Sequence, residues 1–452
     1  MRKSIVWESR QAAAEAHHGM VEAIGVAMRE LAGVEAARLV SVSMPLSVEA
    51  AMPAVGFDGD SRWFGPHDGL RIYADGEAAC FESDAAGRFD AECRRWHLLG
   101  AEGTPPLAFF TVPPATAPAV PRLWVPRVAV RHDKGVSLVT LSAWWTADSS
   151  ERVAQAWLRD VGRIFAKGAA PDQTPPLRVL ATEADPSPAV WEQRVRTASR
   201  AVTDGRLAKV VLARRLALLL SRPADPARVS DELAGVNPEC CVFSLPCGRG
   251  WVIAASPELL AVKRGSRLVS HAVAGTARRH GGADEDAMAA AALMASAKER
   301  REHAVVVDAI ASCLRELCEA LDPLPEPAVM SLRFLQHLWT PISGRLRPGI
   351  GLIDAVTRLH PTPAVLGSPP QAAIDWLRDT GEKRDGLYTG VAGWIDRDGN
   401  GDAAVVLRSA YFEDRTAVLW AGAGIMADSD PRAEFAETEM KLASLMEVLN
   451  AL

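Results

Sequence analysis

Glu299 and Glu302, in "SAKERREHAVVVDAI", share an E-x-x-E spacing with Glu434 and Glu437, in "EFAETEMK". On a helix, residues three and four apart lie on one face. Each pair therefore presents two carboxylates side by side, and Lys441 follows Glu437 by four. Val306, Ile310, Cys313 and Leu317 continue the face of the first pair as an apolar stripe, while Phe435, Leu442, Leu445 and Leu449 border the second. Carboxylates on a core-facing stripe are costly unless a cation or donors meet them. Two facing helices of this kind, without histidine or thiol pairs, suit Mg²⁺, which prefers oxygen ligands and retains waters. The same spacing also suits two solvated first turns carrying an i,i+4 ion pair.

Other residues offer complementary chemistry. Arg408 interrupts "AAVVLRSAYF", a strand otherwise too apolar to want a charge. Its planar fork would match a carboxylate, from a ligand or from an internal Asp or Glu. Gly422 and Gly424 end "VLWAGAG", where the lack of a side chain lets an anion approach backbone N–H groups, or simply permits a turn. Lys209 opens the apolar strand "KVVLARRLALLL" on the face continued by Val211 and Ala213. Desolvation there would favour a neutral amine able to act as a base; an edge lysine reaching into water fits the pattern equally. Glu258, in the turn "SPELL", is a candidate general acid or a plain turn carboxylate.

The elements that must position these groups are legible in outline. A chain of 452 residues can bury a large core. Its 48% hydrophobic and 23% charged residues place it with globular proteins. The net charge of -6, with basic residues dispersed, argues against nucleic acid. The N-terminus has no apolar core of a secretory signal, and no run is long enough to span a membrane. Seven cysteines without a paired C-x-x-C imply reduced thiols and a cytoplasmic location. The Pro-rich stretch 167–188 reads as a linker. It separates an N-terminal scaffold portion, residues 1–175, from a chemistry-bearing portion, residues 186–452. In the second portion "SPAVWEQRVRTASRAVTDG" predicts a helix with a serine N-cap and glycine stop. "KVVLARRLALLL", "WVIAA", "RLVSHAVAG", "DAAVVLRSAYFE" and "TAVLWAGAG" predict strands. Residues 284–320 predict a helix, and "EFAETEMK", residues 434–441, begins a final one. Strands grouped between helices, with few regular βαβ units, imply an α+β fold with antiparallel sheets packed against flanking helices.

Taken together, these segments resemble the chorismate-utilising enzymes, the family of anthranilate, aminodeoxychorismate, isochorismate and salicylate synthases. The matching stretches are "KVVLARR", "SPELL", "AVAGTARR", "SAKERREHAVVVDAI", "QHLWTPISGRL", "LHPTPAVLGSP", "GLYTGVAGWIDRDGNGDAAVVLRSA" and "AGAGIMADSDPRAEFAETEMKL". They run in the family's order from about residue 190 to the end. "LHPTPAV" is similar to isochorismate synthases, whereas the other branches usually begin there with Phe-Pro. Ala274 stands where aminodeoxychorismate synthases have a lysine. Leu366 replaces a glycine common in isochorismate synthases, and Thr389 and Val391 replace residues of a usual "AGPVGW".

The resemblance implies a Mg²⁺-dependent isochorismate synthase, adding water at ring C2 of chorismate with loss of the C4 hydroxyl. The alternatives are a salicylate synthase, which then eliminates pyruvate, or a catalytically idle relative that binds a dicarboxylate. By position in the motifs, Lys209 resembles the base and Glu258 the acid. Glu302 and Glu437 resemble the metal ligands, with Glu299 and Glu434 holding metal-bound waters. Arg408, Tyr388, Gly422, Gly424 and Lys441 resemble contacts to the enolpyruvyl carboxylate. Gly275 and Thr276 would face the ring carboxylate, and His337 the region of C4. A product feeding quinone, siderophore or salicylate synthesis, a monomer or weak homodimer, no glutaminase partner and no nucleic-acid or membrane partner complete the expectation.

Overall fold

The computed structural model describes residues 10–46, 61–66, 69–82, 85–100, 105–116, 120–164, 175–382 and 384–452. Part of the expected linker, residues 167–174, lies outside them. The chain divides into two compact units. The first comprises residues 1–110, 121–175 and 394–398; the second comprises 111–120, 176–393 and 399–452. The expected boundary near residue 175 falls at a division between units, but each unit also takes in a short segment from the other side of it.

In the first unit a sheet runs in the order Ser61–Phe64, Arg71–Asp75, Val128–Asp133, Val136–Trp145, Arg38–Leu46, His97–Gly100. Among the described residues its only parallel pair there is Arg38–Leu46 with His97–Gly100. Helices Arg10–Leu31, Ala85–Cys93 and Ser150–Ile164 accompany it.

The second unit carries two antiparallel sheets. One orders Val179–Asp185, Lys209–Leu220, Thr416–Ile425, Ser409–Glu413, Gly250–Ser256 and Cys241–Cys247, with Gly367–Ser368 beside the start of the Lys209 strand. The other runs Cys318–Leu321, Leu335–Leu346, Arg267–Arg278, Leu259–Arg264 and Gly401–Val405. Helix Pro188–Thr203 begins after Ser187 as expected, and Gly205, at φ 73°, lies just beyond its end. Its Trp191, Val195, Ala198 and Ala201 recur at helical period and pack on Val210, Leu212, Ala423 and Ile425. Side chains alternate across a strand. Burying Val210 and Leu212 in that core therefore turns Lys209, Val211 and Ala213 to the opposite face. The same logic turns Gly422 and Gly424 there.

Two expectations are corrected. Residues 284–320 form not one helix but two, Ala283–Ala295 and Ala297–Leu317, followed by the strand Cys318–Leu321. Ser296 leaves helical geometry, at ψ 115°, and its hydroxyl accepts the Glu299 N–H at 3.3 Å, so it caps a new helix. "DAAVVLRSAYFE" is likewise two strands, Gly401–Val405 in one sheet and Ser409–Glu413 in the other. The chain changes sheet at Leu407 and Arg408, and Arg408 takes a left-handed φ of 48°. A charged residue in this apolar run thus marks a crossover, not the middle of a strand.

Candidate active site

The site is built where the chain passes from sheet to sheet. Glu258 lies between Gly250–Ser256 and Leu259–Arg264, one such passage; Arg408 lies at the other. The passages are hydrogen-bonded to each other: Ala255 N–H donates to Arg408 O at 3.2 Å, and Val405 N–H to Glu258 O at 3.1 Å. Acid and cation are therefore fixed by backbone. The pocket they share is also lined by Lys209, Gly275, Thr276, Glu302, His337, Tyr388, Thr389, Gly422, Gly424, Glu437 and Lys441. Every residue assigned a direct role from the sequence is thus on one cavity wall. Glu299 and Glu434 sit behind it.

Lys209 is 1% exposed, and its Nζ lies 2.7 Å from Glu302 Oε1. Glu258 is fully enclosed. Burial pushes its carboxyl up to about 8, against the opposing pull of Lys209 and a hydrogen bond from Thr362 Oγ1 at 3.4 Å. An acid so placed keeps its proton at neutral pH.

Arg408 forms no ion pair among the described residues. Its guanidinium instead lies 2.6 Å from His337 Nε2. Burial lowers its pKa, with Cys240 and Glu437 working the other way. Buried cationic donors without a carboxylate invite an anionic ligand. Tyr388 stacks on Trp420, with centroids 5.2 Å apart, and closes that end. Thr389, at φ 63°, is a second non-glycine residue in left-handed geometry on the wall. Such conformations persist only where the surroundings enforce them.

The glycines of "AGAG" are needed for close approach, since neither has a positive φ. A Cβ on Gly424 would meet Lys209 Cε at 2.6 Å and collide with Glu302; one on Gly422 would meet Tyr388 Oη at 2.6 Å. Val211 spends its N–H on Leu366 O. Val211 and Gly424 therefore form a non-hydrogen-bonded pair in their antiparallel ladder, and Ala213 with Gly422 repeats it. Gly422 and Gly424 consequently direct their N–H groups away from the Lys209 strand. They lie past Trp420, where pairing with Ser409–Glu413 stops. Gly422 O accepts from Lys441 Nζ at 2.8 Å, and the same ammonium lies 2.6 Å from Glu437 Oε1.

Opposite, the strand Arg267–Arg278 bulges at Gly275, φ 77°, so that Ala274 faces Leu338 and Thr276 faces His337. The bulge aims the Thr276 N–H at Glu299 Oε2, 2.9 Å away. The four glutamates are then held by lysines. Glu302 has Lys209, Glu437 has Lys441, and Lys298 Nζ bridges Glu434 Oε1 at 3.2 Å and Glu299 Oε1 at 3.6 Å. Burial raises the Glu299 pKa, and Glu302 raises it further. Burial and Glu437 do the same to Glu434. Among the described residues no three metal-binding side chains converge on one point. A Mg²⁺ site does not need three, because the ion commonly uses one or two carboxylates and completes its shell with waters and substrate oxygens. An all-oxygen set of clustered carboxylates fits a hard divalent cation.

Lys298 and Thr362 were not singled out from sequence. Lys298 adjoins Glu299 in "SAKERREH", where its charge looks like one of several. Thr362 lies in "LHPTPAV", and only folding shows which group its hydroxyl meets.

The sequence model of the family described as chorismate binding enzyme matches residues 116–450. The chain belongs to the chorismate-binding enzymes. Among members of that family, the salicylate biosynthesis isochorismate synthase of Pseudomonas aeruginosa is 40% identical over 262 residues, 58% of this chain and 55% of that protein. The isochorismate synthase DhbC of Bacillus subtilis is 34% identical over 272 residues, 58% of this chain and 68% of that protein. The solved structure of MenF, the menaquinone-specific isochorismate synthase of Escherichia coli, superposes with a TM-score of 0.80 at 25% identity, covering 95% of this chain and 99% of that one. The α+β reading, with antiparallel sheets and flanking helices, is borne out by this likeness and by the sheets themselves.

Proposed function

We propose that this chorismate-binding enzyme is an isochorismate synthase, converting chorismate to isochorismate with Mg²⁺. The observation that carries the reading is a buried lysine and a buried, proton-holding glutamate in one pocket with Arg408, Lys441 and the inward N–H groups of Gly422 and Gly424. That set offers one base, one acid and the positive groups a dicarboxylate requires.

Isochorismate and chorismate are isomers. A C2–O bond forms from water, the C4–O bond breaks and the ring double bonds shift. Lys209 takes the proton from the attacking water, and Glu258 gives one to the departing hydroxyl. Lys209 Nζ is ion-paired with Glu302 in the structure, so it must give up a proton before it can take one from the attacking water. Arg408, Tyr388, Lys441 and the glycine N–H groups hold the enolpyruvyl carboxylate. Gly275 and Thr276 flank the ring carboxylate. Glu302 and Glu437 would hold Mg²⁺, with Glu299 and Glu434 placed to accept from its waters. The ion, when bound, supplies charge neutralisation beside the ring carboxylate. Water as nucleophile calls for no glutaminase partner, and we place the enzyme in the cytoplasm on the strength of its thiols. No helix among the described residues is long and apolar enough to cross a membrane.

The test is incubation of purified protein with chorismate and Mg²⁺ and chromatography of the products. Isochorismate without appreciable salicylate is expected. Salicylate appearing as fast as chorismate disappears would assign a salicylate synthase, and intact chorismate would assign an idle relative.

A further inference from the structure

We infer that His337 is the positioning residue of the substrate-binding arginine: it holds Arg408 from behind through an ordered relay from the Gly275 bulge, and does not itself touch the C4 hydroxyl. The inference rests on the proposed function and assigns work within that site.

His337 Nδ1 lies 3.0 Å from Gly275 O and 3.3 Å from Thr276 Oγ1. A carbonyl oxygen can only accept, so Nδ1 carries the hydrogen. His337 Nε2 lies 2.6 Å from Arg408 Nη2. A guanidinium nitrogen can only donate, so Nε2 must offer its lone pair. The two contacts together demand the neutral imidazole with its hydrogen on Nδ1. The surroundings agree. His337 is 4% exposed, and burial, then the charges of Arg408 and Lys441, push its pKa well below the usual value. With both ring nitrogens engaged, no polar atom of His337 remains for the leaving hydroxyl.

Arg408 needs such a support. It is buried, lacks a carboxylate partner among the described residues and sits on backbone in left-handed geometry. An arginine side chain left to itself would lose considerable rotamer freedom on binding an anion. A fixed acceptor behind one Nη leaves the remaining donors aimed into the pocket. The Gly275 bulge gives the relay its origin, because it faces His337 with Thr276 and turns Gly275 O toward the ring.

The test is a double-mutant cycle between His337→Phe and Arg408→Met, with His337→Gln as the conservative variant, because its amide oxygen can still accept from Arg408. Hydrogen bonds to charged groups are typically worth about tenfold or more in affinity. His337→Phe should therefore raise the KM for chorismate about tenfold or more, with a smaller effect on kcat. His337→Gln should recover part of the loss. In the Arg408→Met background His337→Phe should cost little more. A fall in kcat at unchanged KM that persists without Arg408 would overturn the inference in favour of contact with the reacting centre. A second readout does not depend on turnover. Nitrogen NMR of the imidazole in the wild-type protein should show neutral His337 protonated at Nδ1, with the Nε2 signal shifted in Arg408→Met. An Nε2–H tautomer or an imidazolium at pH 7 would refute the relay even if isochorismate forms. The relay found intact in a protein that leaves chorismate unchanged would instead count against the proposed function alone.

Discussion

Glu258 can serve as an acid only while it holds a proton, and its environment sets when that ends. An ordinary glutamic acid at 4.5 would be protonated in only a few molecules per thousand at pH 7. With the group pushed up to about 8, roughly nine in ten molecules carry the proton at pH 7 and roughly one in ten at pH 9. The pocket therefore raises the working fraction roughly 300-fold at neutrality. As the acid, Glu258 would act only in its protonated form, so its ionisation would enter the rate profile beside that of the base. The profile of kcat/KM, which reports groups of the free enzyme, should show an ionisation near 8 that Glu258→Gln removes. Glu258→Gln should lower kcat by about 10²–10⁴-fold, the usual worth of a positioned acid. The same burial has a signature in stability. Between 4.5 and 8 the folded state binds a proton that the unfolded state has released, so stability declines with rising pH across that window. The displacement corresponds to an upper value of about 5 kcal/mol. Glutamine, neutral throughout, removes that decline. Denaturant melts of both proteins between pH 5 and 9 should diverge, with the variant gaining on the wild type as pH rises. Parallel stability profiles, or a kcat/KM profile with no break near pH 8, would refute the assignment of Glu258 as a buried protonated acid.

Lys209→Arg keeps the charge but no accessible neutral form; as the base, Lys209 predicts similar inactivity in Lys209→Arg and Lys209→Ala, with chorismate still bound in calorimetry. Near-normal turnover in the arginine variant would leave only an electrostatic role. Glu437→Gln should abolish Mg²⁺-dependent turnover and weaken Mg²⁺ binding measured calorimetrically with chorismate present, while thermal melting stays close to wild type; an unchanged Mg²⁺ titration would remove Glu437 as a ligand. Gly424→Ala introduces a methyl group against Lys209 and Glu302, and should reduce kcat by at least tenfold, the effect of displacing positioned groups by fractions of an ångström. Wild-type rates there would show that this approach is not used.

The sequence reveals most where the chemistry lies on regular elements. An E-x-x-E pair on a 3.6-residue period must present both carboxylates together, and the alternation of "KVVLA" forces Lys209 to the face opposite Val210 and Leu212. Those readings need only local geometry. The sheet crossovers are less visible. "AAVVLRSAYF" has the composition of a single strand, and only the antiparallel pairing of Gly401–Val405 in one sheet and Ser409–Glu413 in the other turns Arg408 into the corner. Contacts at long separation are hidden altogether. His337 and Arg408 are 71 positions apart and Thr362 and Glu258 are 104 apart. No periodicity links them, because each contact is created by two strands or turns meeting at the mouth of a sheet. The lysines show the same limit in charge. Lys209, Lys298 and Lys441 come from three separate segments, and each residue's neighbours in sequence permit a solvated side chain. Folding brings all three against four glutamates. Carboxylates and ammonium groups are thus matched in the folded site although the three lysines lie far apart in sequence.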